Sequence, residues 1–338
     1  MSAQLAVTPA RLLQFAWGFA VPLIVDAAVR NGLFDALSRG PKTADALAAE
    51  AKISHRGARA ALNALTSVEL LNKDADGRYA LTPESAAFLV STSPSFMGGM
   101  FRHASVQLMP RWLTLNEVVR TGRPAPYAGE EDSRSAHFRE LVEDILPLSS
   151  PAAHALAEAL VSETEGAPVR VLDVGAGSGI WGIALARRSP GVRVTAVDWA
   201  GVLEVTKDFA ARFGVGDRLE TRAGDMFEVD FGADYQIAVL GQILHSFSEV
   251  RGRTLLTKLY EALAPGGAIA IAEFLVDEAR ATQTNSLIFA VNMLVNTTQG
   301  DAYSFAEIAA WLKEAGFENL RTMDAPGPAP LILANKPR

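Results

Sequence analysis

The sequence predicts an α/β protein: a doubly wound, mostly parallel sheet in the C-terminal half, preceded by a smaller helical domain of winged-helix pattern. Three observations predict it. Residues 171–179, VLDVGAGSG, run from an apolar strand into alternating glycines. Beyond them, apolar runs of strand length (VRVTAV, LETRA, YQIAVL, AIAIAEFL) alternate with amphipathic helical segments, as in a parallel sheet wrapped by crossover helices. Residues 41–82 read as two short helices followed by a hairpin.

From the N-terminus, residues 12–29, LLQFAWGFAVPLIVDAAV, form a helix apolar on most faces. Gln14, Pro22 and Asp26 interrupt it, which argues against a membrane span. An apolar helix outside a membrane needs a covering surface, so a dimer is expected. Within 41–82 the helices are expected over 45–51 and 56–67, with Asp76 and Gly77 as the hairpin turn. His55, Arg56 and Arg59 would form the DNA-facing patch of such a module, but the patch is thin on a chain of net charge −7, so no nucleic-acid partner is expected. The boundaries read as 1–95 for a dimerisation domain, 96–160 for a helical connector and pocket wall, and 161–338 for the ligand-binding domain. In the connector, FMGGMFRHASVQLMPRW (96–112) concentrates methionines and aromatics suited to a pliable apolar pocket, with Met100 and His103 facing substrate. The segment equally suits plain core packing, and a histidine among apolar neighbours is often a hydrogen-bonded core residue, which is the competing reading of His103. TGRPAPYAGEED (121–132) is expected to be a loop. APGG (264–267) is expected as the turn before the fifth strand, and LRTMDA and PLILAN as the final strand pair.

The 338 residues, 49% hydrophobic, can bury two cores. Cysteine is absent, which excludes disulfides and thiolate metal sites, and the five histidines show neither HxH nor HExxH spacing, so no metal site is expected. The N-terminus lacks the charged region and cleavage site of a signal peptide, so a cytoplasmic location is expected.

Gly175, Gly177 and Gly179 allow a tight turn and close ligand approach ahead of a helix N-terminus. Gly177, Gly179 and Gly182 also satisfy dinucleotide-loop spacing, which keeps a nicotinamide-dependent oxidoreductase open. Asp173 tips the choice: two residues before the first glycine it would repel a pyrophosphate, yet it suits a ligand carrying an amino group, such as S-adenosylmethionine. Asp198 closes VRVTAVD (192–198) at the interval of a ribose-gripping carboxylate. The plain alternatives are that Asp173 caps a turn and Asp198 is a solvated strand end.

On these residues the chain resembles the S-adenosylmethionine-dependent methyltransferases, whose seven-stranded domain opens with an acid-x-G-x-G-x-G turn. GDMF (224–227), LGQILHSF (240–247) and IAEFL (271–275) follow in family order and resemble the small-molecule O-methyltransferases of the caffeate and hydroxyindole type, bacterial branch included. The resemblance covers nearly the whole chain. It implies a sheet whose last strand is antiparallel, a homodimer interlocked through N-terminal helices, S-adenosylmethionine as cofactor with S-adenosylhomocysteine as product, and a small hydroxylated acceptor. It implies cofactor contacts from Asp173, Gly175, Gly177, Gly179, Asp198, Trp199, Asp225, Met226, Phe227 and Gln242. His245 becomes the general base, oriented by Glu273 and by Asp301, which stands beside Ala302 where plant-type enzymes carry a second glutamate. Gly241 and Ser246 depart from the family, which often has a basic residue and an Asp there. NSLIFAVNMLVNT (285–297) falls at the substrate lid, with Phe289, Asn292 and Met293 toward the acceptor; a core helix with Asn292 bonded internally is the alternative. C- or N-methylation, a rearrangement on the same fold, and a ligand-sensing DNA-binding regulator are the competing functions.

Overall fold

The computed structural model describes residues 7–126, 131–161, 168–327 and 330–338; residues 127–130 of the expected loop lie outside the described residues. The chain divides into two compact units, Met1–Pro110 and Arg111–Arg338. The segment read as a connector is therefore shared between them.

In the first unit, α1 (Ala10–Ala16) and α2 (Ala20–Arg30) are joined by a turn. Leu12, Leu13, Phe15, Trp17 and Phe19 are all more than half exposed, while Val25, Asp26 and Ala28 turn inward. Asp26 stays ionically paired, its carboxylate 2.9 Å from Arg30 Nε. By length and composition alone, Ala10–Arg30 would suffice to cross a membrane, and 17% of its most apolar stretch is buried. Next come α3 (Leu33–Leu37), β1 (Lys42–Thr43), α4 (Ala44–Ala51), α5 (His55–Ser67) and the hairpin β2 (Leu71–Lys73) and β3 (Arg78–Leu81). Thr43 and Ser54 supply the side-chain oxygens that start α4 and α5. β1 adds a third, unexpected strand in the order β1-β3-β2. His55, in the basic patch, lies 2.9 Å from Asp45 across α4 and α5. α6 (Pro83–Phe88), with a Thr82–Ser85 capping box, leads to α7 (Gly98–Arg102) and a π-helical turn over His103–Leu108.

The second unit follows from α8 (Met109–Trp112) through α9 (Leu115–Thr121) and α10 (Glu131–Val161) into the sheet. Its strands are β4 (Val169–Val174), β5 (Val192–Asp198), β6 (Leu219–Ala223), β7 (Tyr235–Gly241), β8 (Leu263–Ala272), β9 (Glu318–Met323) and β10 (Leu331–Asn335). Their order is β6-β5-β4-β7-β8-β10-β9, parallel from β6 to β8, with β10 antiparallel to both neighbours. Near-continuous apolar strands are what a sheet covered on both faces requires. Alternation sorts them: Val169 and Val171 pack with α10, α11 (Ile180–Arg188) and α12 (Ala200–Arg212), and Leu172 and Val174 with α13 (Glu249–Ala262) and α15 (Phe305–Glu314). APGG does not precede the fifth strand. β8 begins at Leu263, opposite Tyr235, and its register against β7 resumes only at Ala268 opposite Ile237, so the motif is an excursion inside the strand, with Gly266 at φ +80°. α14 (Thr284–Asn296) fills the expected lid segment.

Candidate active site

Every parallel strand of the second unit ends at one edge, so the loops after β4, β5, β6, β7 and β8 gather there. The glycine turn leaves β4 with positive φ at Gly175, Gly177 and Gly179. Two of these positions also lack room for a side chain: a Cβ would sit 3.0 Å from Ile243 Cγ1 at Gly175 and 2.6 Å from Thr206 Cγ2 at Gly179. Thr206 Oγ donates to Gly177 O at 2.7 Å and pins the turn to α12.

Strand parity puts Asp173 on the same face as Val169 and Val171, towards α11. There its Oδ2 accepts the Gly182 N–H at 2.9 Å, in the first turn of a helix whose own N-cap, Gly179, offers no side chain. Its Oδ1 is sealed from solvent and has no partner among the described residues. Burial pushes this carboxyl up to about 7, against the opposing pull of the Gly182 N–H. The capping reading therefore occupies Oδ2 and leaves Oδ1 without a partner among the described residues. Asp198 accepts Gly177 N–H on Oδ2 at 2.9 Å and Trp199 N–H on Oδ1 at 2.7 Å, which ties the ends of β4 and β5 together. Burial raises its pKa and those two N–H groups oppose the rise. The Trp199 indole beside it is half exposed.

After β6, Asp225 Oδ1 accepts the Phe227 N–H at 2.9 Å, and Met226 is buried. Phe227 meets Phe247 edge-on at 5.0 Å, and the Arg251 guanidinium lies 3.9 Å over its ring. After β7, Gln242 adopts φ +60°, rare for a side-chain-bearing residue, held by its N–H to Ala272 O at 2.8 Å and by Ser149 Oγ donating to its Oε1 at 3.2 Å. The Gly241 departure has a steric reason: a Cβ there would collide with the Trp181 indole, which fills that space from α11.

The bend at Gln242 delivers a single 3₁₀ turn, Leu244–Ser246, carrying His245. Its Nδ1 lies 2.8 Å from Glu273 Oε2, its backbone N–H reaches Glu273 Oε1 at 3.2 Å, and both side chains are buried. Phe289 of α14 meets the imidazole edge-on at 4.8 Å and stacks on Phe274 at 4.1 Å. Asp301 does not bring its carboxylate to this ring. Its Oδ2 lies 3.8 Å from Arg280, and its contribution to His245 is a backbone N–H to the histidine carbonyl at 3.0 Å. Asn292 is internally bonded through its oxygen, to Trp112 and Asn296, and Met293 is buried beside it. Met100 and His103 belong to the first unit, where His103 Nδ1 pairs with Gln107 within the π-helical turn. Sequence reasoning missed Ile243, Thr206, Trp181, Ser149 and Trp112, whose roles arise from long-range packing and leave no local signature.

A family profile described as the O-methyltransferase domain matches residues 114–318, and one for the O-methyltransferase dimerisation domain matches 13–91. Among curated relatives, the chain is 32% identical to the 3-hydroxy-5-methyl-1-naphthoate 3-O-methyltransferase of Streptomyces sahachiroi, covering 93% of this chain and 91% of that one. It is 30% identical to the tetracenomycin polyketide synthesis 8-O-methyl transferase TcmO of Streptomyces glaucescens, covering 98% and 97%. The fold is shared with PigF solved with S-adenosylhomocysteine, at TM-score 0.84, 25% identity, 98% of this chain and all of that one.

The chain belongs to the O-methyltransferase family.

It is an S-adenosylmethionine-dependent O-methyltransferase, and its residues fit that cofactor. An amino-acid ammonium suits the buried Asp173 Oδ1 under the glycine turn, which has no partner among the described residues. Asp198, whose carboxylate retains lone pairs beyond the two backbone bonds, suits ribose hydroxyls. Asp225 and the Met226–Phe227 pair offer a polar edge and apolar walls for an adenine.

Proposed function

We propose that the enzyme methylates a phenolic hydroxyl on a small fused-ring aromatic or polyketide-like acceptor, with His245 taking the hydroxyl proton. The observation that carries this reading is the buried His245–Glu273 pair at 2.8 Å, set against the Phe274–Phe289 stack at the edge where the ligand loops gather. When bound, S-adenosylmethionine supplies an electrophilic methyl on its sulfonium and is left as S-adenosylhomocysteine. Glu273 accepts the Nδ1–H, which fixes the tautomer and leaves the Nε2 lone pair for the acceptor. A phenol with a pKa near ~10 is mostly protonated at neutral pH and a weak nucleophile, so proton removal at Nε2 exposes the attacking oxygen. Glu273 then stabilises the imidazolium, and the stacked phenylalanines offer an apolar face to an aromatic ring and keep water from the proton. Asp301 acts through its backbone, holding the histidine carbonyl, and not as a second acid on the ring.

The acceptor class draws support from relatives named for a hydroxynaphthoate and for tetracenomycin polyketide synthesis. Incubation with S-adenosylmethionine and a panel of hydroxynaphthoates and polyketide phenols, read by mass spectrometry, is expected to give methyl ethers with equimolar S-adenosylhomocysteine. A product methylated on carbon or nitrogen, or no product from a protein that binds S-adenosylhomocysteine, counts against it.

We also propose a homodimer through α1 and α2, supported by their exposed apolar side chains and by the dimerisation-domain match over 13–91. The purified chain is expected to sediment near twice its 36.0 kDa. A monomer at micromolar concentration would contradict this.

A further inference from the structure

Asn292 is held by donors that have only one sense. Trp112 Nε1–H donates to Asn292 Oδ1 at 2.9 Å, and Asn296 Nδ2 donates to the same oxygen at 2.9 Å. Arg111 fixes Asn296 in turn, its Nε–H donating to Asn296 Oδ1 at 2.7 Å while another guanidinium nitrogen donates to Val295 O at 3.1 Å. Indole and guanidinium nitrogens cannot accept. Asn296 must therefore give its oxygen to Arg111 and its amide N–H to Asn292, and Asn292 must give its oxygen to both of its partners. The Asn292 amide cannot turn over without breaking two bonds.

What remains is its Nδ2. That group has no partner among the described residues, and it is not among the polar atoms sealed from solvent. Helical spacing puts Asn292 three residues and Met293 four residues after Phe289, on one face of α14, and it is Phe289 that meets His245 edge-on.

We propose that the Arg111–Asn296–Trp112 chain makes Asn292 a one-way hydrogen-bond donor to the acceptor substrate, so that the enzyme selects hydroxyarenes bearing a second, hydrogen-bond-accepting oxygen such as a ring carbonyl. This rests on reading α14 as acceptor-facing in the proposed reaction. Trp112, Asn296 and Arg111 are positioning residues: they touch Asn292, and Asn292 touches the substrate. A neutral amide donor adds selectivity because an acceptor-free ring would leave its N–H stripped of water and unpaired.

The test is calorimetry on protein loaded with S-adenosylhomocysteine, titrated with isosteric pairs of naphthols carrying acetyl or isopropyl at each open ring position. The best acetyl compound is expected to bind about tenfold or more tighter than its isopropyl partner. Asn292→Asp keeps an oxygen for Trp112 and Asn296 but replaces the free N–H with an acceptor, and is expected to erase that preference while isopropyl binding moves less than about threefold. Trp112→Phe keeps the ring and frees the amide to turn, and is expected to shrink the preference with the melting temperature retained. An acetyl preference that survives in Asn292→Asp, or an acetyl compound that binds no better than its isostere or not at all in the parent, overturns the proposal. Since the readout is binding, absent methyl transfer with an intact acetyl preference would fell the proposed reaction alone, and normal transfer without the preference would fell this inference alone.

Discussion

His245→Ala is expected to lower kcat by about 10²–10⁴-fold while leaving the Kd for S-adenosylhomocysteine within about twofold. The separation follows from geometry. His245 rides on its own 3₁₀ turn after β7, bonded to Glu273 and walled by Phe289, whereas the glycine turn is pinned by Asp198 and Thr206. Glu273→Gln should fall in the same direction by a smaller factor, since the amide can still accept the Nδ1–H but carries no charge to balance an imidazolium. Rate assays paired with calorimetry check both. Unchanged turnover in His245→Ala would remove the proton-transfer role, and loss of cofactor binding would mean the turn is a structural brace for the nucleoside site.

Asp173→Asn is expected to make the ligand-free protein more stable at about pH 8 while weakening S-adenosylhomocysteine binding by at least about tenfold. The carboxyl is wholly buried, its pKa is pushed up to about 7, and one oxygen has no partner among the described residues. Because the folded value lies above the unfolded one, the native state holds a proton between about pH 4 and 7 that the unfolded chain has released. This group therefore contributes stability on the acid side that is lost as pH rises through that window. Ionising it in place costs on the order of 4 kcal/mol more than ionising it in the unfolded chain. Asparagine keeps an oxygen for the Gly182 N–H and removes the charge, at a cost of about 1–3 kcal/mol for its unpaired amide hydrogens. The net gain of about 1–3 kcal/mol corresponds to a rise of a few degrees in melting temperature, vanishing as the pH is lowered toward 5 or so. A variant that is less stable at about pH 8, or that binds the ligand as the parent does, would show that the carboxylate serves only to start α11.

Much of the fold could be read from the chain because its signals are local. A parallel strand buried on both faces is a continuous apolar run, and the turn after β4 spells out its backbone in glycines. His245 and Glu273 could be placed at neighbouring strand ends because β7 and β8 are adjacent and parallel. The rest depended on partners distant in sequence. Asp301 stands next to the expected acid position, but Arg280 draws its carboxylate away from the histidine. Asn292 could be set on the acceptor-facing lid segment, with internal bonding as the alternative, but only Trp112, remote along the chain, fixes which of its atoms is spent. APGG has every mark of a turn, yet pairing on both sides carries the strand through it. Gly241 looked like a lost basic residue because Trp181, which fills its space, lies on a different element.

The most direct test of His245 as proton acceptor is a series of phenolic acceptors running from a pKa near ~10 down to compounds already ionised at the assay pH, each turned over by the parent and by His245→Ala. If the imidazole removes the proton, the ratio of parent to variant rates is greatest for the least acidic phenol and falls toward one for those that arrive ionised. A ratio that stays constant across the series would contradict the account and reduce His245 to a residue that shapes the pocket.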